Sequence, residues 1–539
     1  MRLLLTLLLF WFGFAPAWCQ SAPPPRLEIR LDEAVDEAHR VVPLGQQGAI
    51  LIHHTQRETA RQPHLFRFTR LDTALTTRWK SEYNLPEKMV PLLSFVNDQA
   101  VFYLSAEPNS NKFSILRVNL DDGTTDTYQG LLPGSLTISE FRVLGNRAYL
   151  AGYNRQRPVV LGFSFFDGNI RVFQGLFLKN VEIGSIDVDE FREEIHVVTH
   201  TLSKRCQFTL RSYSPDGIPL RTVEFGGSEY SLISGKLLPI SADESLLVGN
   251  YSADCMPYSQ GIYLTRIRHT EGGNRTPTPG DSIRYVDFSS LTNFFNYLRP
   301  RRQERLKARV ELKKKDGKEF RFRYRLMVHD LLPTPNGLQL LAEVYYPQYR
   351  GSASPYMAGT WRGALAGGTQ SGRIQQVPMN TMRPPADRYN QGYQYTHAFV
   401  CEFDRQGSLL WDNCLPIKEL TDDFLVQKVQ ISSQKDRLVL AYAEKDEVRA
   451  EVIRRDSVLL TVPPLLLGTG SAQEKVAQAD HQTLTAWFGP YFLTSGYQRI
   501  VAERGFATPP RDVFYVSRLR IDAHNVPAPP KADPRPQGR

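Results

Sequence analysis

Residues 141–173 read FRVLGNRAYLAGYNRQRPVVLGFSFFDGNIRVF. Four short apolar runs lie in this stretch, at 141–143, 148–153, 159–165 and 170–173, and Asp167-Gly168-Asn169 separates the last two. Asp-Gly between β-rich runs is the strongest short-range hairpin signal, because both residues tolerate the positive φ of a tight turn between twisted strands. The stretch therefore spells four consecutive antiparallel strands. Moving outward, the same unit returns at 41–83, at 92–119 followed by Asp121-Asp122-Gly123, and at 195–225 with Pro215-Asp216-Gly217 before its last strand. Its most apolar strand recurs at 49–53, 100–104, 148–152, 195–199 and 246–250, a spacing of roughly 50 residues that suits a four-stranded unit repeated around an axis.

Later units are interrupted. A fifth has runs at 246–251, 262–268 and 282–288, and a sixth has 325–332, Pro335-Asn336-Gly337, 338–346 and then 397–403. A seventh has 426–431, 438–443 and 449–454, and an eighth shows only 491–497 and 513–521. Residues 26–31, RLEIRL, alternate correctly to supply a strand to that last unit and close a ring. The expectation is an all-β chain forming a single β-propeller over 20–525, with seven or eight four-stranded blades and eight the better count. A composition of 41% hydrophobic residues with 37 Gly and 36 Pro suits many short strands and turns.

Residues 402–411, EFDRQGSLLW, carry Asp404, Gly407 and Trp411 in an Asp-x-x-Gly-x-x-x-Trp pattern. This hairpin resembles the blade signature of quinoprotein-like propellers, and the whole chain resembles the β-propeller superfamily in its strand pattern. The signature occurs once here, whereas that family repeats it around the ring, so the resemblance implies the fold and no activity. Asp216-Gly217 lacks the aromatic of a sialidase Asp-box, and there is no array of Trp-Asp dipeptides.

The N-terminus reads as a secretory signal over 1–19: Arg2, an apolar core at 3–14, and Ala15-Pro16-Ala17 or Ala17-Trp18-Cys19 as a cleavage site. An uncleaved anchor is disfavoured because a span needs about 20 apolar residues. Lipidation of Cys19 is a further alternative. The expected location is secreted or periplasmic. Export permits disulfides, and four cysteines follow the signal. Cys206 opens the third strand of blade 4, and Cys255 lies in the equivalent loop of blade 5, so the two stand at one height on adjacent blades and are expected to bond. Cys401 and Cys414 share a hairpin out of register. The Pro-rich tail, 526–539, is expected to be disordered.

In a propeller blade, the loop between second and third strands lies on the same face as the link to the next blade. Both long segments, 289–322 between blades 5 and 6 and 347–396 within blade 6, therefore fall on one face, where loops on a rigid scaffold carry function. In the first, Leu291, Phe294, Phe295 and Leu298 recur at helical spacing, Pro300 interrupts, and a basic helical run follows. From Arg299 to Arg325, thirteen cations face four acidic residues, leaving +9, which equals the formal charge of the whole chain. Arg299, Arg301, Arg302, Arg305, Lys307 and Arg309 head the candidate binding set. The run is read as a solvated surface, as a site for an anionic protein, glycan or envelope component, or as a contact for anionic membrane. Nucleic acid is not the expected partner: Phe320, Phe322 and Tyr324 alternate with arginines, but a period of two is simply a half-buried strand. The second insertion adds Tyr356, Trp361 and Tyr393 among its aromatics.

No HExxH, paired CxxC, Gly-x-Ser-x-Gly or phosphate-binding loop occurs, so no catalytic residue, metal or cofactor is expected. His53 and His54 are adjacent and face opposite sides of a strand, which prevents both from binding one ion. Channel-mouth candidates are Asp187 and Asp189, sharing one side of a strand, and His329-Asp330 beneath the insertions. The lead expectation is a non-enzymatic binding or scaffold module with its ligand face at the blade 5–6 insertions. The alternative is an envelope or extracellular enzyme, a polysaccharide or peptide hydrolase or lyase, with its site at the channel mouth.

Overall fold

The computed structural model describes residues 25–32, 36–56, 64–201, 206–225, 230–241, 244–268, 283–329, 331–351, 388–418, 420–469, 471, 473–504 and 509–524. The expectations for the signal segment, Cys19 and the C-terminal tail lie outside them.

The strand Ala49–Gln56, AILIHHTQ, shows the logic of the whole ring. All but its last residue are buried. A strand covered on one face alternates, whereas one covered on both reads as a continuous apolar run. Ala49 and Leu51 pack toward blade 8, and Ile50 and Ile52 pack toward blade 2. The same division by parity sends Ala148 and Leu150 to one neighbour and Tyr149 and Ala151 to the other.

Repeated around the chain, this produces eight antiparallel sheets in a ring. Blades 1 to 8 span 36–84, 90–131, 137–172, 181–225, 231–287, 325–416, 430–466 and 474–520, each starting with its innermost strand. Eight apolar clusters separate them, one at every blade-to-blade interface. Polar ties reinforce the stack at its inner strands. The Tyr153 hydroxyl accepts from the Ile183 backbone N–H at 2.9 Å, Tyr395 from Val426 at 3.0 Å, and Tyr497 from His39 at 3.0 Å. The first and third reach the first strand of the next blade, and the second reaches the segment that leads into blade 7.

The ring closes through the N-terminal strand Arg26–Arg30, which pairs antiparallel with Arg511–Arg520 as the outermost strand of blade 8, Glu28 opposite Tyr515. Leu27 and Ile29 pack into the blade 8–blade 1 cluster. Arg26 donates to Glu28 at 2.8 Å and to Gln498 at 2.8 Å, and its guanidinium lies 4.3 Å above the Tyr515 ring.

Several element boundaries differ from expectation. Blade 8 has a first strand, Glu474–Phe488, that the apolar pattern misses because most of its residues before Leu484 are polar and only partly covered. Blade 7 begins at Gln430–Gln434 rather than at 426. The first strands of blades 5 and 6 are each broken in two, Ser231–Leu232 with Lys236–Ser241, and Arg325–Val328 with Leu332–Thr334. The middle strands of blade 6 extend to Gly337–Gly351 and Arg388–Asp404, so the ends of the expected 347–396 loop form a two-stranded ribbon.

Closure by burial more than by charge makes a testable distinction. Ile29→Asp should lower unfolding free energy by about 2–4 kcal/mol in urea melts, since it places a carboxylate in an apolar seam. Glu28→Gln should cost less than about 1 kcal/mol, because its ion pair with Arg511 is partly solvated.

Candidate functional site: the insertion-bearing face

The segment between blades 5 and 6 folds back onto the ring. Two 3-10 turns, Phe288–Ser290 and Phe294–Tyr297, precede a helix, α1, at Pro300–Lys315. The expected apolar stripe therefore docks as tight turns and not as an α-helix. Leu291, Phe294 and Phe295 are buried with residues of blades 5 and 6, and the Phe288 and Phe294 rings stack at 4.3 Å. Pro300 starts the helix instead of interrupting one: its fixed φ suits the first turn, and its missing N–H would have had no helical partner.

Polar contacts fix the insertion at both ends. The buried Asp412 carboxylate of blade 6 accepts from the Thr292 and Asn293 N–H groups at 2.8 and 2.7 Å. Burial pushes that carboxyl upward, and the backbone donors pull it back. On the return path, Gln260 pairs with the Phe322 backbone as a peptide would, accepting at 2.8 Å and donating at 3.1 Å. Ser259 N–H donates to the Tyr324 carbonyl at 2.8 Å. Phe322 and Tyr324 are buried while Arg321 and Arg323 are exposed, the alternation of a half-covered strand.

The anchor is itself tethered. Ser259 and Gln260 end the loop that carries Cys255, which is bonded to Cys206 of blade 4 with the two Cα atoms 5.2 Å apart. Cys401 and Cys414 are buried free thiols. Cys401 pairs in register with Asp412 and not with Cys414.

Helix α1 touches this base through little: Val310 is buried, Leu306 packs beside it, and Gln303 donates to Asn296 at 3.0 Å. Arg299, Arg301, Arg302, Arg305, Lys307, Arg309 and Lys313–Lys315 are all exposed. Among the described residues, no acidic group forms an ion pair with any of them.

The other candidates divide differently. Tyr393 sits half-buried on the ribbon, edge-on to Tyr345 at 5.7 Å. Tyr395, expected on the loop, is a core residue whose hydroxyl also donates to the Val426 carbonyl at 2.6 Å. Tyr356, Trp361 and Asp330 lie outside the described residues. His329 is buried against Glu343, Nε2 to Oε2 3.0 Å, and Glu343 also accepts from Lys428 N–H at 3.0 Å, so it joins blade 6 to blade 7. Asp187 and Asp189 lie at the far end of the first strand of blade 4, on the face opposite the insertions. Asp189 caps its own hairpin, accepting from Phe191 N–H at 3.0 Å, and lies 3.6 Å from His196. Asp187 instead acts across the blade boundary on Glu140, whose carboxyl burial pushes up to about 7 while Arg142 opposes the shift. Glu140 accepts from the Ile186 N–H at 3.2 Å.

One grouping escaped the sequence altogether. Glu37, His39 and His53 are buried on a single side of blade 1, facing blade 8, with their ligand-type atoms all within 4.8 Å of one another. His54 points to the other side and meets His64 at 3.0 Å. Burial lowers His54 to about 3, with the charges of His64 and His53 adding to it. The only clue was the cross-strand pairing of His39 with His53, which needs the register of the hairpin.

No family model and no curated protein matches this chain. Among solved structures, it is similar to the polysaccharide lyase Uly1 (9% identity, TM-score 0.38, covering 92% of this chain and 100% of that one). It is also similar to Chaetomium thermophilum Sqt1 (9%, TM-score 0.39, 93% and 98%) and to the β-propeller domain of the Pyrococcus furiosus Trilobed protease (8%, TM-score 0.32, 79% and 98%). At these values the likenesses carry no argument.

Two outcomes are expected. Replacing both Cys206 and Cys255 by Ser should lower stability by up to ~4 kcal/mol, the loop-closure entropy of a crosslink spanning about 50 residues, read as a fall in urea midpoint. Glu140 has a folded pKa above its unfolded value, so the folded state holds the extra proton between about pH 4.5 and 7. Its contribution is present below that window and lost as pH rises through it. The melting temperature of Glu140→Gln should therefore gain on wild type as pH goes from 5 to 8, and a constant difference would refute the assignment.

Proposed function

We propose that this chain is an exported β-propeller that serves as a binding module, and that its insertion-bearing face engages an anionic partner through helix α1. One observation carries the reading. Arg301, Arg305, Arg309 and Lys313 follow one another at i, i+4 intervals, and all four are exposed. That spacing aligns them along a single ridge at about 6 Å rise per step. Like charges at i, i+4 destabilise a helix by roughly 0.2–0.5 kcal/mol per pair. A helix serving solubility alone would interleave the signs. Here Glu304 and Glu311 lie off the ridge, and the cations stand in a row that matches a partner carrying successive negative charges, such as an acidic protein segment or an anionic envelope glycan.

The mounting supports the same reading. The base of the insertion is held by buried aromatics, the Asp412 carboxylate and the Gln260 amide, whereas the helix has only Leu306 and Val310 against the ring. Its cations are thus offered outward from a rigid foundation. Capture of envelope components should weaken from low to moderate salt, since exposed charges are screened over about 8–10 Å at physiological ionic strength. Charge reversal at Arg301, Arg302, Arg305 and Lys307 to Glu should abolish capture and leave the melting temperature nearly unchanged. Capture that persists in this variant would sink the proposal, and a large drop in melting temperature would show the cations to be structural.

A further inference from the structure

We propose that Glu37, His39 and His53 form a binding site for one divalent transition-metal ion of the zinc class, at the seam where blade 8 meets blade 1. The site stands apart from the basic helix, three blades away around the ring.

The register of the first hairpin builds it. His39 lies directly opposite His53 in the antiparallel ladder, and Glu37 lies two residues before His39, opposite Thr55. A strand's period of two puts Glu37 and His39 on one face, and cross-strand pairing adds His53 to it. All three side chains are buried. Two imidazoles and a carboxylate make up a three-ligand set that zinc accepts while keeping a further position open, and imidazole nitrogen suits zinc, iron and nickel over calcium or magnesium.

Distances are close to what an ion needs. With bonds of about 2.0–2.2 Å, ligand atoms of a tetrahedral site lie about 3.3–3.6 Å apart. Glu37 Oε2 and His53 Nε2 are 3.5 Å apart, and no pair in the set exceeds 4.8 Å. The two imidazoles stack at 4.2 Å with planes 15° apart, so binding requires one ring to turn out of the stack. His39 also stacks on Phe514 at 4.4 Å and keeps its place, so His53 is the ring that turns; a small seam cavity lined also by His481, Thr483, Ser495 and Tyr497 lies beside His39. An outer partner is in place: the Tyr497 hydroxyl is 3.4 Å from His39 Nδ1, the kind of contact that orients a metal-bound imidazole and leaves Nε2 to the ion. The other such grouping among the described residues, His200 with Cys206 and Cys255, has its two sulfurs bonded to each other.

The test uses the full exported chain, stripped with a chelator and titrated with Zn2+ alone by calorimetry, then with Co2+ by visible absorption. The expected result is one ion per chain, with Co2+ bands of nitrogen and oxygen ligation and no thiolate charge transfer. Glu37→Gln and His53→Gln should each weaken Zn2+ binding at least tenfold, while His54→Gln, on the opposite side of the same strand, and His200→Gln bind as wild type does. Should the seam variants fail to fold, Tyr497→Phe keeps all three ligands and should still weaken binding several-fold. No uptake by the wild-type chain, a thiolate spectrum, binding retained in Glu37→Gln and His53→Gln, or loss in His200→Gln would each overturn the site.

Discussion

A four-stranded sheet cannot hide its own faces, and everything in this molecule follows from covering both. Each middle strand sends alternate side chains to two different neighbours, so a blade is stable only between two others. Gly130 and Gly217 mark how closely the blades approach. A Cβ at Gly130 would meet the Phe163 ring of the next blade at 3.1 Å, and one at Gly217 would meet the Phe173 ring of the preceding blade at 2.7 Å. Gly217 also takes φ +78°, so that turn demands glycine on two counts.

A stack of this kind has an open first and last face until it closes. Closure joins residues more than 470 positions apart, as Arg26 to Gln498 shows. The entropy of closing so long a loop is about 5 kcal/mol, a modest sum because it grows only with the logarithm of length. The apolar seam formed by Leu27, Ile29, Leu51, Trp487 and Phe514 is of a size to offset it. The seam also concentrates polar groups: the Trp487 indole donates to the Gly48 carbonyl at 2.8 Å, and Tyr497 holds the His39 backbone. It is there, where first and last blades must recognise one another, that Glu37, His39 and His53 are drawn together.

Three blades away, stability and presentation are separated within one insertion. Its aromatic residues extend the core between blades 5 and 6, with Tyr297 stacked on His397 at 3.8 Å. Burial lowers His397 to about 3, so that ring stays neutral and packs as an aromatic. The charge is displaced onto a helix that contributes almost nothing to that core. The disulfide between blades 4 and 5 stiffens the loop on which the insertion's return path rests, which links a covalent constraint in one blade to the posture of a surface two blades on.

Sequence by itself determined the repeat, the Asp-Gly turns, the blade count to seven or eight, the closing strand at residues 26–31 and the Cys206–Cys255 bond, because each rests on local alternation or on equivalent positions in successive repeats. The basic run was equally legible, since charge density is a property of composition. Glu474–Phe488 was not, because an inner strand bordering the channel lacks the apolar pattern by which strands are recognised. Nor were the partners of the ionisable groups. That Asp187 acts on Glu140 rather than pairing with Asp189, that His329 meets Glu343, and that Glu37, His39 and His53 converge all depend on hairpin register and on which blade stands alongside. Those are properties of the closed ring, where residues hundreds of positions apart are brought within a few ångströms, and only the tertiary structure could decide them.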